Sequence, residues 1–566
     1  MQWNMSAMPI VLADFADALA SLLGLRMLRL ASCSKACQHA FDHDPRIWGA
    51  LLQYEINFRN IQNRDAVATS IFKRLPSTAK YLKLDLGNCC WKREGDIISD
   101  ETFRLLVRSI PKSLHELSLM YMRPRGKVCS ALGVDFARSL PSSLRKLELF
   151  VDLSREATLT LLGCLPRQLC ELNMHVGDRL KWNAEAFRTL AEGFPQQLQI
   201  LDLDLDADLR EVTPLATQLA ASQLTTLRLS LGSITGVEGL GALFAALPPS
   251  LEELQLLLDH IGVCDRSCEE LGRSLRRCSR LRDLELYMGS CEVWRVLQAP
   301  CRSLKHLELS LQSLGQADAK QLSNFVNAAD LGRLGLYLEG PQPEVRQALA
   351  ALPVSLQGLD FSVWDRSVGD DALLSLARVI PPQLRDLHVS FMEGDYVPPE
   401  SIKELLTRLP ETLHTLSLSF EWSGFSQLTA FHFPAKLRTL SLSGGLDAAE
   451  RPQQVPFIAS LARELPRLGH LRRLSLNFEG CHWTAAEASQ VLAASGPLVK
   501  KLDADFGTIL FKEDTPDSWE ALLGPFQERF GGTIRMPEGT DRDDTLYDAF
   551  GSSRESEATE SGDEVD

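Results

Sequence analysis

The chain of 566 residues lacks long apolar runs, clustered basic residues and C-x-x-C cysteine pairs. No apolar run reaches the roughly 20 residues that a transmembrane helix needs. The apolar stretch near the N-terminus contains Asp14 and Asp17 and follows no basic residue, unlike a secretory signal peptide. We therefore expect no membrane partner and a cytoplasmic or nuclear location.

The thirteen cysteines are scattered and form no C-x-x-C pair. Cys164 and Cys278 are placed in apolar helical stripes, which predicts small buried thiols in a reducing compartment. Four residues are close enough in sequence to suggest zinc ligands: His260, Cys264, Cys268 and Cys278. Their spacing matches no standard zinc finger. A helix stripe is the stronger interpretation of this segment, and its members are Cys268, Leu271, Leu275 and Cys278.

Charge is concentrated at the C-terminus. The net charge is −15, and residues 538–566 hold eleven acidic and two basic residues, which leaves −6 for the preceding 537. This acidic tail, rich in Ser and Thr and poor in aromatics, is predicted to be disordered. The rest of the chain has no clustered basic face, so we expect no nucleic-acid partner.

Sequence motifs of catalysis are missing as well. There is no P-loop, dinucleotide fingerprint, G-x-S-x-G elbow or H-E-x-x-H. Four alternating aspartates look like the start of a calcium loop: Asp202, Asp204, Asp206 and Asp208. Ala207 and Thr213 stand where an EF-hand needs Gly and Glu, so a strand is the better interpretation. We expect no enzymatic activity, no cofactor and no metal site.

One frame of two periodicities recurs along most of the chain. An apolar stripe at helical spacing is followed by alternating apolar residues, which predicts a helix and then a strand. The frame is complete in Phe187, Leu190, Ala191, Phe194, Pro195, Leu198, Leu201, Leu203 and Leu205. The first strand positions of the units are Ala79, Leu114, Leu144, Leu169, Leu198, Leu224, Leu251, Leu281, Leu304, Leu331, Leu356, Leu384, Leu413, Leu437, Leu471 and Val499.

A proline precedes that first strand position by three residues in ten of the sixteen units, for example Pro111 before Leu114. Proline ends the helix at a fixed point, because it lacks an N–H and restricts the residue before it. Successive units are 23 to 35 residues apart. Such variation is tolerated where insertions lie in surface loops.

The L-x-x-L-x-L motif in this frame resembles leucine-rich repeats of the ribonuclease-inhibitor-like type. The resemblance implies an α/β fold, a right-handed horseshoe solenoid with a parallel concave sheet and convex helices. We assign about 16 repeats to residues 79–507. The family's Asn or Cys ladder residue is missing, and the alternation instead continues for one more apolar position, as in Leu201, Leu203 and Leu205. The strands are therefore predicted to be longer than is usual in the family.

Residues between the strand leucines should point into the concavity. They are acidic in the middle of the array and include aromatic side chains, which predicts a docking surface for a protein of basic or mixed charge. A solvated face that only maintains solubility is the alternative. Candidate contact residues are Phe150, Asp202, Asp204, Glu253, Asp283, Glu285, Tyr287, Glu308 and Tyr337.

Residues 1–55 break the repeat frame and are predicted to form a small helical domain. The segments Met27–Lys35 and Asp42–Leu52 resemble the second half of an F-box, with an L-x-x-x-x-C-S-K run and then D-P-x-I-W-x-x-L. The family's opening Leu-Pro is Ile10-Val11 here, and its usual tryptophan after the Ser-Lys pair is Cys37. The resemblance implies contacts to the linker subunit of a Skp–cullin–F-box ubiquitin ligase through Ile10, Leu25, Leu28, Ser34, Lys35, Pro45 and Trp48.

The flanks of the array need caps, because a terminal repeat would otherwise expose its apolar side. We assign residues 56–78 to a helical linker or N-terminal cap. Residues 508–537 are assigned to a C-terminal cap, which contains the helical stripe of Trp519, Leu522, Leu523 and Phe526.

Together these patterns predict a non-catalytic substrate-recognition adaptor of a ubiquitin ligase. The first alternative is a leucine-rich-repeat scaffold unrelated to ubiquitin, in which residues 1–75 only cap the solenoid. A further alternative is a GTPase-activating protein, since some solenoids of this type act in that way. No motif in this chain supports that activity.

Overall fold

The computed structural model describes most of residues 64–505, together with 56–57 and 534–535. Its main gaps are 89–97, 123–129, 176–180, 364–368, 446–453, 478–484 and 496–498, with shorter ones in other loops. The chain divides into two compact units, Met1–Pro353 and Val354–Asp566. The predicted F-box-like domain and acidic tail lie outside the described residues, as does almost all of the predicted C-terminal cap.

The first unit contains a parallel sheet in which each long strand pairs with the next one along the chain. Its strands are β1 (Ile56–Asn57), β2 (Tyr81–Asn88), β3 (Glu116–Met122), β4 (Lys146–Val151), β5 (Glu171–His175), β6 (Lys181–Trp182), β7 (Ile200–Ala207), β8 (Thr226–Leu231), β9 (Glu253–Leu258), β10 (Asp283–Met288), β11 (His306–Leu311) and β12 (Arg333–Leu338). The two-residue strand β6 pairs only with the end of β7.

Helices alternate with these strands. They are α1 (Arg64–Phe72), α2 (Asp100–Ser109), α3 (Ser130–Ser139), α4 (Arg155–Gly163), α5 (Ala184–Gly193), α6 (Thr213–Ala221), α7 (Leu240–Ala245), α8 (Asp265–Arg277), α9 (Gln316–Ala328) and α10 (Gln342–Leu349). Short 3-10 helices occupy Leu209–Glu211, Val237–Gly239 and Val293–Gln298.

The second unit repeats the same alternation. Its strands are β13 (Gly358–Val363), β14 (Asp386–Val397), β15 (Thr415–Ser423), β16 (Thr439–Gly445), β17 (Arg473–Asn477), β18 (Lys501–Asp505) and β19 (Ile534–Arg535). All of them pair in parallel with their chain neighbours. Its helices are α11 (Gly369–Val379), α12 (Pro399–Thr407), α13 (Gln454–Glu464) and α14 (Ala485–Ala494), with a 3-10 helix at Leu465–Arg467.

The predicted α/β leucine-rich-repeat solenoid is therefore confirmed within each unit. All sixteen predicted first strand positions are buried, from Ala79 to Val499. The aspartate run that resembled a calcium loop is strand β7, and its inward residues Leu201, Leu203 and Leu205 are fully buried. No helix in the described part of the chain is long and apolar enough to cross a membrane.

Strand leucines are in register from one repeat to the next. Leu227 pairs with both Leu201 and Leu254, and Leu307 pairs with both Leu284 and Leu334. The predicted third inward position is buried as well, as at Leu205, Leu258 and Met288. In the first unit these inward side chains contact the helices: the Tyr121 ring stacks 5.4 Å from Phe103 of α2. Burial of three side chains per strand on a helical layer forms the core.

The turn before each strand is held by repeated hydrogen bonds. The N–H of Leu144 donates to the Pro141 carbonyl over 3.1 Å, and the same turn recurs in most other repeats. The carbonyl one residue after the first leucine then accepts two N–H groups from the following repeat. His115 O, for example, accepts from Arg145 N at 2.7 Å and Lys146 N at 3.0 Å. This pair of hydrogen bonds recurs between most neighbouring repeats and fixes the register in which the strand begins.

A ladder of hydroxyl groups lies at the same turn, and the sequence analysis did not predict it. The residue before the first strand leucine is often Ser or Thr, and its hydroxyl donates to the corresponding leucine carbonyl of the previous repeat. Ser143 Oγ lies 2.7 Å from Leu114 O, and Ser250 Oγ lies 2.7 Å from Leu224 O. Ser113, Ser303 and Thr412 make the same bond. These side chains link neighbouring repeats at the opposite end of the strand from the family's missing ladder residue.

Two cysteines replace the turn proline in successive repeats. Cys278 and Cys301 precede Leu281 and Leu304 by three residues, and both are buried. Their thiols donate to carbonyls of the previous repeat over 3.4 Å. The prediction for Cys164 was wrong: it caps the end of α4 and is exposed, since the true equivalent of Cys278 in that repeat is Pro166. The helix stripe of Cys268, Leu271, Leu275 and Cys278 is buried as predicted.

Burial should separate the thiols by reactivity. Loss of solvent raises the pKa of both Cys278 and Cys301 to about 11, so little thiolate forms at neutral pH. We expect iodoacetamide to label exposed Cys164 and Cys264 in the native protein and to leave Cys278 and Cys301 unlabelled until denaturant is added. Peptide mass spectrometry with and without denaturant measures this. Native labelling of Cys278 at the rate of Cys264 would contradict the structure.

Candidate functional site: the polar face of the first unit

Outward side chains of β4, β5 and β7–β12 form one surface, which we call the polar face. The strands alternate buried and partly exposed residues, and strict register aligns the outward ones in three rows across the sheet. The structure places all nine sequence-predicted contact residues on this face: Phe150 on β4, Asp202 and Asp204 on β7, Glu253 on β9, Asp283, Glu285 and Tyr287 on β10, Glu308 on β11 and Tyr337 on β12. Two groups form among them, separated by an ion pair.

The first group surrounds His175 on β5. The His175 ring stacks on Phe150, with 4.4 Å between ring centroids and an interplanar angle of 8°. Its two nitrogens each lie 3.8 Å from a carboxylate oxygen, one of Asp202 and one of Asp204. The interaction with His175 is the largest cause that lowers the pKa of Asp204, whereas burial raises the pKa of Asp202. Two aspartates that contact the same histidine therefore have pKa values shifted in opposite directions.

Internal ion pairs neutralise part of the acidic face. Arg228 of β8 donates from Nε and Nη2 to Glu253 Oε1, at 2.9 and 2.6 Å. Lys146 likewise contacts Glu148 at 2.9 Å and Glu171 at 2.6 Å. These carboxylates already have a cation, so Glu253 is a weaker candidate for partner contact than its exposure and charge suggest.

The second group, which we call the Tyr–Glu cluster, consists of Glu285, Tyr287, Glu308 and Tyr337. The Tyr287 hydroxyl donates to Glu308 Oε1. The Tyr287 and Tyr337 rings lie 6.3 Å apart at an interplanar angle of 30°. Their strands are separated by β11, where Ser310 stands opposite both tyrosines. The two rings therefore lean towards each other over a small side chain.

Charge is unbalanced in the Tyr–Glu cluster. Glu285 and Glu308 are register partners on adjacent strands, and among the described residues neither forms an ion pair with a lysine or arginine. The His306 ring lies beside two carboxylates, with Nε2 3.9 Å from a Glu308 oxygen and Nδ1 3.5 Å from an Asp283 oxygen. Burial first and the charge of Glu308 second raise the pKa of Glu285. Burial and the bond to Glu308 raise the pKa of Tyr287, so it remains a hydrogen-bond donor.

Several contributors to this geometry were not among the predicted site residues. His175, Arg228 and His306 determine which acids are paired, and Gly335 leaves an outward position of β12 without a side chain. Of these residues, only Gly335 could have been recognised from the sequence, because it is a glycine between two strand leucines, Leu334 and Leu336. The pairings depend on the direction that each side chain takes across the aligned rows of the sheet, and no sequence pattern specifies that direction.

The F-box-like candidates Ile10, Leu25, Leu28, Ser34, Lys35, Pro45 and Trp48 all lie outside the described residues. Within the part of the chain that the structure describes, no group of three His, Cys, Asp or Glu side chains could hold a metal ion. What the polar face offers chemically is therefore hydrogen-bond acceptors, negative charge and aromatic surface.

The opposite pKa shifts of Glu285 and Asp204 predict opposite effects on stability. A carboxyl with a raised native pKa destabilises the fold once it ionises, so Glu285→Gln should increase the free energy of unfolding at pH 7. The gain should be less than about 1 kcal/mol, because solvent screens half-exposed charges. It should vanish as pH falls below the ordinary Glu value of 4.5.

Asp204→Asn should do the reverse and lower stability at pH 7, since a lowered native pKa means that the carboxylate stabilises the fold above its ordinary value of 3.8. Urea unfolding of the full chain followed by circular dichroism at pH 7 and at pH 4 measures both effects. Destabilisation by Glu285→Gln at pH 7 would show that its neighbours favour the ionised form.

Comparison with known proteins found matches among solved structures alone. No family model matches the sequence, and no curated protein matches it. Among solved structures, the leucine-rich repeat-containing protein LegL7 of Legionella pneumophila is 15% identical, with a TM-score of 0.28; the match covers 62% of this chain and 97% of that one. The fold assignment rests instead on the in-register parallel strands with buried leucines, by which each unit is a leucine-rich-repeat solenoid.

Proposed function

We propose that the protein is a protein-binding solenoid whose polar face holds the partner. The observation that carries the proposal is the row of partly buried carboxylates and aromatic rings across β4–β12. The eight strands β4, β5 and β7–β12 at about 4.8 Å spacing span roughly 34 Å, a width that suits a macromolecule better than a small ligand. Large aromatic side chains with polar handles, such as Tyr287 and Tyr337, are frequent hot spots of protein interfaces.

Charge reversal on the polar face should abolish partner binding. Asp283 is about half exposed there, and Glu192 is exposed on helix α5, outside this face. We expect Asp283→Lys to weaken binding at least about tenfold, because it places a cation against a basic partner. Glu192→Lys makes the same change in charge elsewhere and should leave affinity within about twofold.

Full-length protein immobilised as bait, with bound proteins identified and one then measured by titration as a purified partner, tests this. Equal loss with both variants would assign the effect to net charge alone. Unchanged affinity with Asp283→Lys would show that the partner binds outside the polar face.

We further propose that the bound protein is a ubiquitination substrate and that the N-terminal segment docks a ligase. The support is the sequence resemblance of Met27–Leu52 to an F-box and its position directly before the repeats. The adaptor would act by proximity, since tethering raises the local concentration of the substrate near the transfer enzyme. No chemistry by this chain is required.

Co-purification with the ligase linker subunit tests this role. Wild-type full-length protein should retain the linker subunit, and Leu28→Asp combined with Trp48→Ala should lose it, because a charge and a truncation remove the apolar contact surface. Partner capture by the polar face should persist in the double variant. Failure of the wild-type protein to retain the linker would leave a scaffold whose N-terminal residues only cap the solenoid.

A further inference from the structure

The Tyr–Glu cluster has the composition of a receptor for one cationic side chain. We propose that it binds an arginine of a basic segment in the partner protein. This inference rests on the proposed protein-binding function and specifies the chemistry of the partner.

Two small residues shape the Tyr–Glu cluster. Ser310 stands between Tyr287 and Tyr337 in register, and Gly335 stands beside Glu308 with no side chain of its own. A Cβ at position 335 would lie 2.9 Å from Glu308 Cγ and 3.4 Å from Tyr337 Cε2. Any larger residue would push these two groups away, so glycine keeps the carboxylate and the ring close together.

Each carboxylate of the Tyr–Glu cluster accepts a hydrogen bond on one of its two oxygens. Gln255 Nε2 donates to Glu285 Oε2 at 2.7 Å, and Tyr287 donates to Glu308 Oε1. In the described part of the chain, the second oxygen of each carboxylate accepts no hydrogen bond. Two adjacent carboxylates without a lysine or arginine partner repel each other in the free protein, and an incoming cation removes that repulsion.

Arginine fits this arrangement better than lysine. A guanidinium group is planar, so it can donate several N–H groups to carboxylates while its face stacks on an aromatic ring. A cation within about 6 Å of a tyrosine centroid gains a favourable cation–π interaction. The ammonium group of lysine supplies the positive charge, but it lacks the parallel N–H donors and the planar face of a guanidinium group.

Charge favours an external partner as the source of the arginine. At the first three outward positions of β4, β5 and β7–β12 there are eight carboxylates against three Lys or Arg residues. This face attracts a basic segment over a distance of about one Debye length, roughly 8 Å in physiological salt. The chain's own C-terminal segment, with eleven acidic and two basic residues, would be repelled.

Fluorescence anisotropy with labelled synthetic peptides tests the proposal on the full-length chain. The probes are short peptides of alternating arginine and glycine, of lysine and glycine, and of glutamate and glycine. We expect the arginine peptide to bind several-fold more tightly than the lysine peptide, and the glutamate peptide not to bind. Tyr337→Ala and Glu308→Gln should each weaken the arginine peptide about tenfold, the loss of one ring or charge contact.

Matched controls separate this cluster from general electrostatics. Glu116→Gln removes one charge from an exposed outward position of β3, and Tyr81→Ala removes an exposed aromatic side chain from β2, outside the polar face. Both should stay within about twofold of wild type. Glu308→Gln preserves the shape of the side chain, and a thermal melt of every variant shows whether it folds.

Three results would overturn the inference: no binding of the arginine peptide, equal weakening by Glu116→Gln and Glu308→Gln, or no effect of Tyr337→Ala in a folded protein. None of these results by itself contradicts the proposal that the polar face binds a protein partner. If Asp283→Lys abolishes capture of the natural partner while the arginine peptide fails to bind, the polar face binds protein by other chemistry. If both fail, the proposed function falls as well.

Discussion

The structure depends on one constraint: no repeat can bury its inward side chains without its neighbours. A strand such as β9 presents Leu254, Leu256 and Leu258 to one side, and these are removed from water only when β8 and β10 lie in register beside it. The carbonyl at the start of most strands accepts two N–H groups of the next repeat and so fixes this register. A slip by one residue would turn every leucine to solvent, so the array tolerates variation in loops but not within strands.

The polar face follows from the same register. Because the leucines align, the residues between them align too, and side chains from repeats over 20 positions apart become neighbours. This is why Arg228 reaches Glu253, why His175 lies between Phe150 and two aspartates, and why Glu285 and Glu308 face each other. The ionised form of Asp204 is stabilised by its neighbours, whereas the ionised form of Glu285 is destabilised by burial and by Glu308. Glu285 and Glu308, which repel each other, lie beside two tyrosines and a glycine, and this is where we propose that a partner's arginine binds.

Particular residues show how far the sequence could be followed. Alternation identified Tyr287, Glu308 and Tyr337 as outward, and the structure agrees, because period two in a strand whose other face is buried leaves no choice of face. The prediction that Cys164 is buried was wrong, because Pro166 and not Cys164 occupies the position that Cys278 holds in its own repeat. The hydroxyl ladder through Ser143 and Ser250 could not be predicted, because each hydroxyl donates to a backbone carbonyl of another repeat and no local sequence pattern indicates that contact.

By itself the sequence determined the repeated helix–strand unit, the buried positions and the outward set, since these follow from periodicity and hydrophobicity along a continuous segment. It also supplied the F-box-like resemblance of residues 27–52. Only the tertiary structure decided which acids are neutralised, which remain unpaired and which rings meet. Those outcomes depend on the side-chain directions in the assembled sheet, because each contact joins residues of different repeats and no single repeat encodes it.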